Sequence, residues 1–276
     1  MELTVAGQRC HIACGGRSFA PSTSRLPFVL VHGAANDGDA WLTVAGSLRA
    51  TGAAALVPDL PGHGLSGGPA LRSIEAIADW LPSLLDALGV EQALLVGHSM
   101  GSLVTLECAA RHPQRVGGLA LLGSSVPMPV ADTLLGRASN DPDSVLRLMT
   151  EYSLTPRFQL TGGGGHGIWG PGLTLAIMRR SPPGVLAIDL ANCQHYQNGL
   201  AAAAAVACPT LLLVARRDRM TPRRNLPPLQ SALRQVQRVD IDDCGHAMMN
   251  EQPQAVVEEL LKFALASVAG LSRPAS

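Results

Sequence analysis

Gly97-His98-Ser99-Met100-Gly101 lies between an apolar run, Ala93-Leu94-Leu95-Val96, and a helical pattern carried by Leu103, Val104, Leu106, Ala109 and Ala110. G-x-S-x-G at a strand-to-helix junction places a serine on a sharp, strained turn with its hydroxyl exposed. The flanking glycines lack a Cβ, so strand and helix approach closely. The first amides of the following helix point at the same spot and suit an anion. Ser99 is therefore the candidate nucleophile.

Working outward, residues 28–31, 53–57, 119–122 and 211–215 are also short, nearly continuous apolar runs. Strands buried on both faces of a parallel sheet look like this. Helical patterns separate them, near 40–50, 73–88 and 103–111, with 222–235 and 254–266 toward the end. This alternation predicts an α/β fold with helices on both faces of the sheet. Residues 3–5 and 10–13, around Gly7, read as a hairpin on the sheet edge. The alternation breaks between 126 and 206. That stretch carries Pro and Gly, the run Gly162-Gly163-Gly164-Gly165, and helical fragments near 142–152, 173–180 and 184–192. It predicts a helical insertion at 126–206 in a core made of 1–125 and 207–276.

Composition narrows the function classes. Hydrophobic residues are 47% of the 276 and charged residues 15%, which excludes a disordered chain. The formal net charge is zero, with no basic stripe for nucleic acid and no polybasic segment for a membrane. No apolar run reaches the length of a span. The first residues lack the charged start and apolar stretch of a signal peptide. The six cysteines have no C-x-x-C spacing, which argues against a disulfide framework or a zinc site. These features together predict a cytoplasmic protein with reduced thiols and no metal.

A serine hydroxyl needs a base within reach, and the base needs an orienting acid. Of eight histidines, His246 is best placed. It lies in Asp243-Cys244-Gly245-His246-Ala247, after the alternating segment 238–241 and before the last helix. Parallel sheets gather ligands and catalytic groups outside the carboxyl ends of their strands. Asp218 follows the 211–215 strand, while the 119–122 strand ends in Gly123-Ser124-Ser125 with no carboxylate. Asp242 and Asp243 stand too near His246 to serve. The tetrahedral intermediate needs amide donors. The Met100 amide, next to the nucleophile, is one. The Ala34 amide, in His32-Gly33-Ala34-Ala35 after the first buried strand, is the other. His32 reads as a brace for that loop, with a substrate contact as the alternative.

Gly62-His63-Gly64-Leu65-Ser66-Gly67 fits G-x-G-x-x-G formally. It follows the second parallel strand rather than the first, and no helix starts at its third glycine. A nucleotide site is rejected in favour of a tight loop.

Taken together, these motifs resemble the α/β-hydrolase superfamily. The resemblance rests on His32-Gly33-Ala34-Ala35, Asp59-Leu60-Pro61-Gly62-His63-Gly64-Leu65-Ser66, the Ser99 turn, Asp218 before Met220-Thr221-Pro222, and Gly245-His246. It implies an eight-stranded, mostly parallel sheet whose second strand is antiparallel, with a helical cap inserted before the last strands. It implies Ser99, Asp218 and His246 as a triad, the Ala34 and Met100 amides as oxyanion hole, and no cofactor. Serine at position 99 excludes the branches with an aspartate nucleophile. The leading expectation is a hydrolase of a small or medium carboxylic ester or thioester. Carbon–carbon bond hydrolysis of a vinylogous ketoacid is the alternative. A ligand-binding receptor on the same scaffold is a third, disfavoured by the intact triad. In the cap, Trp169, Ile168, Leu173, Met178 and Leu186 are apolar candidates for the pocket. His166, Asn192, Cys193, His195 and Tyr196 are polar ones. Arg179 and Arg180 are carboxylate binders or a solvated helix face.

Overall fold

The computed structural model describes residues 1–14, 26–161 and 169–271. His166, Ile168 and the Gly162-Gly163-Gly164-Gly165 run lie outside the described residues. Eight strands form one sheet: β1 Glu2–Val5, β2 Gln8–Ala13, β3 Phe28–Val31, β4 Ala55–Pro58, β5 Ala93–His98, β6 Val116–Leu122, β7 Thr210–Ala215 and β8 Val236–Ile241. Their spatial order is β1-β2-β4-β3-β5-β6-β7-β8. β2 runs antiparallel to both β1 and β4, and every pairing from β4 to β8 is parallel. This is the sheet that the resemblance implies.

Side-chain alternation along the strands divides the interior into two cores. Val29, Val31, Leu95, Leu119, Leu121 and Leu212 face one. Phe28, Leu30, Leu94, Val96, Leu122 and Leu213 face the other. Both faces are apolar, so the strands read as continuous apolar runs. Helices α2 Ile74–Ala87 and α3 Met100–Arg111 cover the first face, and α1 Leu42–Ala50 lies on the second. Ser73 starts α2 by accepting the Ala76 amide, a side-chain cap. Each fully buried Leu or Phe contributes about 1.5–3 kcal/mol.

Six helices lie between β6 and β7: α4 Asp132–Asn140, α5 Pro142–Ser153, α6 Pro156–Thr161, α7 Gly170–Arg179, α8 Val185–His195 and α9 Gly199–Ala205. We call this segment the cap. α4 packs on α5 and α8, α5 on α7, and α9 on α3. The chain closes with α10 Pro227–Ala232, α11 Met248–Glu251 and α12 Pro253–Leu271. The helix expected at 222–235 is shorter, because Pro227 and Pro228 restart the chain after a 3-10 turn at Arg223–Asn225. No described helix is long and apolar enough to cross a membrane.

The sheet register gathers the loops of the site. Val31 pairs with Gly97, setting the His32 loop beside the Ser99 turn. His98 pairs with Leu122 and Ala215 with Ile241. The loops carrying Gly123, Asp218 and His246 therefore leave the same edge.

Candidate active site

Ser99 has φ 55° and ψ −122°, a left-handed conformation that L side chains rarely adopt. Its amide donates to the Leu122 carbonyl at 3.0 Å, and the Ser102 amide donates to the Ser99 carbonyl at 2.8 Å. The two glycines of the motif are sterically required. A Cβ on Gly97 would stand 2.2 Å from the Gly101 carbonyl oxygen, and one on Gly101 would stand 2.4 Å from that of Val31.

Asp218 and His246 meet through a 2.8 Å hydrogen bond from Nδ1–H of the histidine to Oδ2 of the carboxylate. Thr221 Oγ1 donates to the same oxygen at 2.7 Å. The amides of Met220 and Thr221 both donate to Oδ1 at 2.8 Å. Burial penalises the carboxylate charge, but facing His246 and accepting these hydrogen bonds outweigh it. The Asp218 carboxyl is held well below the ordinary carboxylate range. With Nδ1–H committed to Asp218, His246 Nε2 carries the lone pair. Nε2 is buried and has no hydrogen-bond partner among the described residues. His246 and Ser99 line one compartment of about 30 Å³.

Two further groups steer His246. His98 Nε2–H donates to the His246 carbonyl at 2.9 Å. Burial first, and then the nearby His246, push the His98 pKa down to about 3, so it stays a neutral donor. Gly123 has φ 56°, and a Cβ there would stand 2.9 Å from the His246 ring. Only glycine lets the ring come this close to the end of β6.

The loop carrying Ala34 approaches Ser99 so closely that a Cβ on Gly33 would stand 3.1 Å from Ser99 Cβ. Its next residue, Ala35, has φ 55° and donates its amide to Asp189 Oδ2 at 2.8 Å. Asp189 is a fully buried residue of α8. His63 Nε2–H donates to the same oxygen at 2.9 Å, and its Nδ1–H donates to the Pro61 carbonyl at 3.0 Å. With both nitrogens donating, His63 is the imidazolium. Burial opposes its charge, but Asp189 prevails and raises its pKa. Three other ties bind the cap to the site loops. The Ala247 amide donates to the Ser153 carbonyl at 2.9 Å. Glu251 accepts from the Gly245 amide at 2.9 Å and from the amide and hydroxyl of Thr155. Arg180 pairs with Asp37 at 2.8 Å and Asp39 at 2.7 Å.

The substrate contacts expected of His32, Trp169 and His195 are corrected, while the other candidates take the structural places that were their alternative reading. His32 is fully buried; Nδ1–H donates to the Gly33 carbonyl and Nε2 accepts the Leu60 amide, so it braces the loop and has no nitrogen left for substrate. Trp169 is 67% exposed at the start of α7, its ring lying over Gly172 rather than in the pocket. His195 is exposed in the last turn of α8. Arg179 and Arg180 are committed to Asp143 and to Asp37 and Asp39. Tyr196 donates to buried Glu107, and Asn192 to the Leu71 carbonyl. The formal G-x-G-x-x-G loop is wrapped on Asp59, which accepts the Leu65 amide at 2.8 Å. Sequence reasoning missed Asp189, Glu251 and Gly123. Only Gly123 carried a local signal, as the glycine ending β6.

A second, larger compartment of about 450 Å³ is lined by Ser99 and by residues of α4 and α5 of the cap. Ser99 and Ala34 line both compartments. The arrangement suits attack on a carbonyl group with one small arm and one large arm.

A family model described as the alpha/beta hydrolase family matches residues 28–259. A 2-hydroxymuconate semialdehyde hydrolase of Pseudomonas sp. (strain CF600) is 28% identical over 264 residues, covering 89% of this chain and 86% of that protein. A pimeloyl-[acyl-carrier protein] methyl ester esterase of Klebsiella pneumoniae (strain 342) is 28% identical over 244 residues, 84% of this chain and 91% of that one. Two other relatives are matched over only 45% and 27% of their own lengths. A thermophilic esterase from Thermogutta terrifontis superposes with TM-score 0.81 at 24% identity, covering 97% of this chain and 98% of that one.

Proposed function

The chain belongs to the alpha/beta hydrolase family, and we propose that it cleaves a carboxylic ester or thioester through an acyl-enzyme on Ser99. The observation that carries this reading is the pairing of a strained Ser99 with the unpartnered Nε2 of His246 in one compartment, with Asp218 on Nδ1. Nε2 takes the Ser99 proton as Oγ attacks the carbonyl carbon. The oxyanion forms against the amides of Ala34 and Met100, donors worth about 10²–10³ in rate each. His246 then returns the proton to the leaving oxygen or sulfur. Water, deprotonated by the same nitrogen, releases the acid. Asp218 holds the tautomer and stabilises the imidazolium. The Klebsiella relative's name, a methyl ester esterase, supports ester chemistry.

p-Nitrophenyl acetate tests this. A burst of about one equivalent of p-nitrophenolate per chain, then a slower steady rate, is expected. Ser99→Ala should give neither. Release no faster than Ser99→Ala rejects ester cleavage. Carbon–carbon bond hydrolysis is the second reading, favoured by the name of the Pseudomonas relative. Cleavage of a vinylogous ketoacid without ester turnover would select it.

A further inference from the structure

Among the lining residues of the large compartment are two arginines, Arg137 and Arg219, and no carboxylate. Most of the rest, such as Leu134 and Met149, is apolar. The two guanidinium groups are not equivalent. Arg137 donates to Ser144 Oγ at 2.6 Å and stands 3.8 Å from the Asp141 carboxylate. Arg219 lies over the Tyr152 ring, its Cζ 4.0 Å from the ring centroid, and both residues are exposed. That contact is a cation–π pair. The five N–H donors of the guanidinium lie in its plane, and no described carboxylate meets them. Arg216 and Arg217, its neighbours in the same loop, are each paired with an aspartate, Asp242 at 2.9 Å and Asp243 at 2.6 Å. Arg219 is thus a cation with no carboxylate partner among the described residues, held over Tyr152 on the wall of a compartment that Ser99 also lines.

We propose that Arg219, stacked on Tyr152, is the anchor of a carboxylate subsite. The substrate's larger arm would run through the apolar compartment and end in an anion. A planar guanidinium presents paired N–H groups that match a carboxylate edge to edge. The ring contact restrains the guanidinium before binding, so less side-chain freedom is lost on binding. Arg137 adds a second positive charge to the same wall. The small compartment limits the other arm to a group such as methoxy. The inference rests on the hydrolase reading only in naming the anion's carrier a substrate.

The test is a binding series on the Ser99→Ala protein, which holds ester without turning it over. Monomethyl esters of linear dicarboxylic acids of graded length are compared with their dimethyl esters by titration calorimetry. At the best length the monoester should bind at least about tenfold more tightly, the scale of a charge-assisted pair. Added salt should shrink that ratio. Arg219→Gln should bring it to about one, and Arg219→Lys should keep part of it. No preference at any length, or a preference that survives Arg219→Gln, overturns the proposal. Turnover of the same monoesters by the unmodified chain is scored separately. Tight monoester binding lost in Arg219→Gln, without turnover, sustains the subsite and counts against the ester-cleavage reading.

Discussion

The sheet core and the cap meet at Ser99 but contribute different things. The core carries every candidate reacting group: Ser99 after β5, Asp218 after β7 and His246 after β8. The cap carries none of them. It contributes the fasteners: Asp189 on the Ala34–Ala35 loop, Ser153 and Thr155 on the His246 loop, Arg180 on Asp37 and Asp39. Chemistry is therefore encoded near strand ends. The precision with which its loops are held is encoded in a segment far away in sequence.

Substitutions on the two sides should separate these roles. In the core, Ser99→Ala should remove the nucleophile and cost about six orders of magnitude in kcat. Asp218→Asn should cost about four orders, since the wrong histidine tautomer is then favoured. Both should leave the melting temperature within a few degrees. Equal losses from Asp242→Asn would break the assignment. In the cap, Asp189→Asn touches no reacting atom. It should lower kcat about 10²-fold, because the Ala34–Ala35 turn loses its anchor and the oxyanion donor drifts. KM should change far less. Unchanged kcat would show that the core holds that loop unaided.

The same tie predicts a pH signature. The folded-state pKa of His63 is raised above its unfolded value. Its pair with Asp189 therefore stabilises fully below the unfolded pKa of about 6.5 and is lost as pH rises through the folded pKa. His63→Gln should be destabilised most on the acid side of that window, by about 3 kcal/mol, the scale for breaking a buried pair. Chemical denaturation of both proteins across pH measures it. A gap that widens with rising pH contradicts the assignment. At the smallest end, Trp169→Ala should change stability by less than about 0.5 kcal/mol and leave chain-length preference intact, because the side chain is exposed. A shift in preference across an ester series would return Trp169 to the pocket.

How much was legible in the sequence follows the same division. The strands, the Ser99 turn, Asp218 and His246 could be read because short-range chemistry dictates each. Glycines allow close backbone approach, apolar runs mark buried strands, and polar groups follow strand ends. The cap was legible only as a helical insertion. α4 Asp132–Asn140 is mostly exposed, has Gly136 at its centre and carries only Leu134, Leu135 and Ala138 as its apolar side, too short a stripe to announce it. Asp189 meets His63 across 126 residues, and nothing local to either predicts the other. The choice of Trp169 and His195 failed for a related reason. Residue type shows what a side chain is able to do, whereas packing decides which way it points.

The central claim is that Ser99 is an activated nucleophile. A fluorophosphonate probe followed by peptide mass mapping tests it most directly, because an activated serine reacts rapidly while ordinary hydroxyls do not. The account predicts one adduct per chain, on Ser99, formed far more slowly after His246→Ala. An adduct on Ser102, Ser124 or Ser125, or no adduct at all, would contradict it.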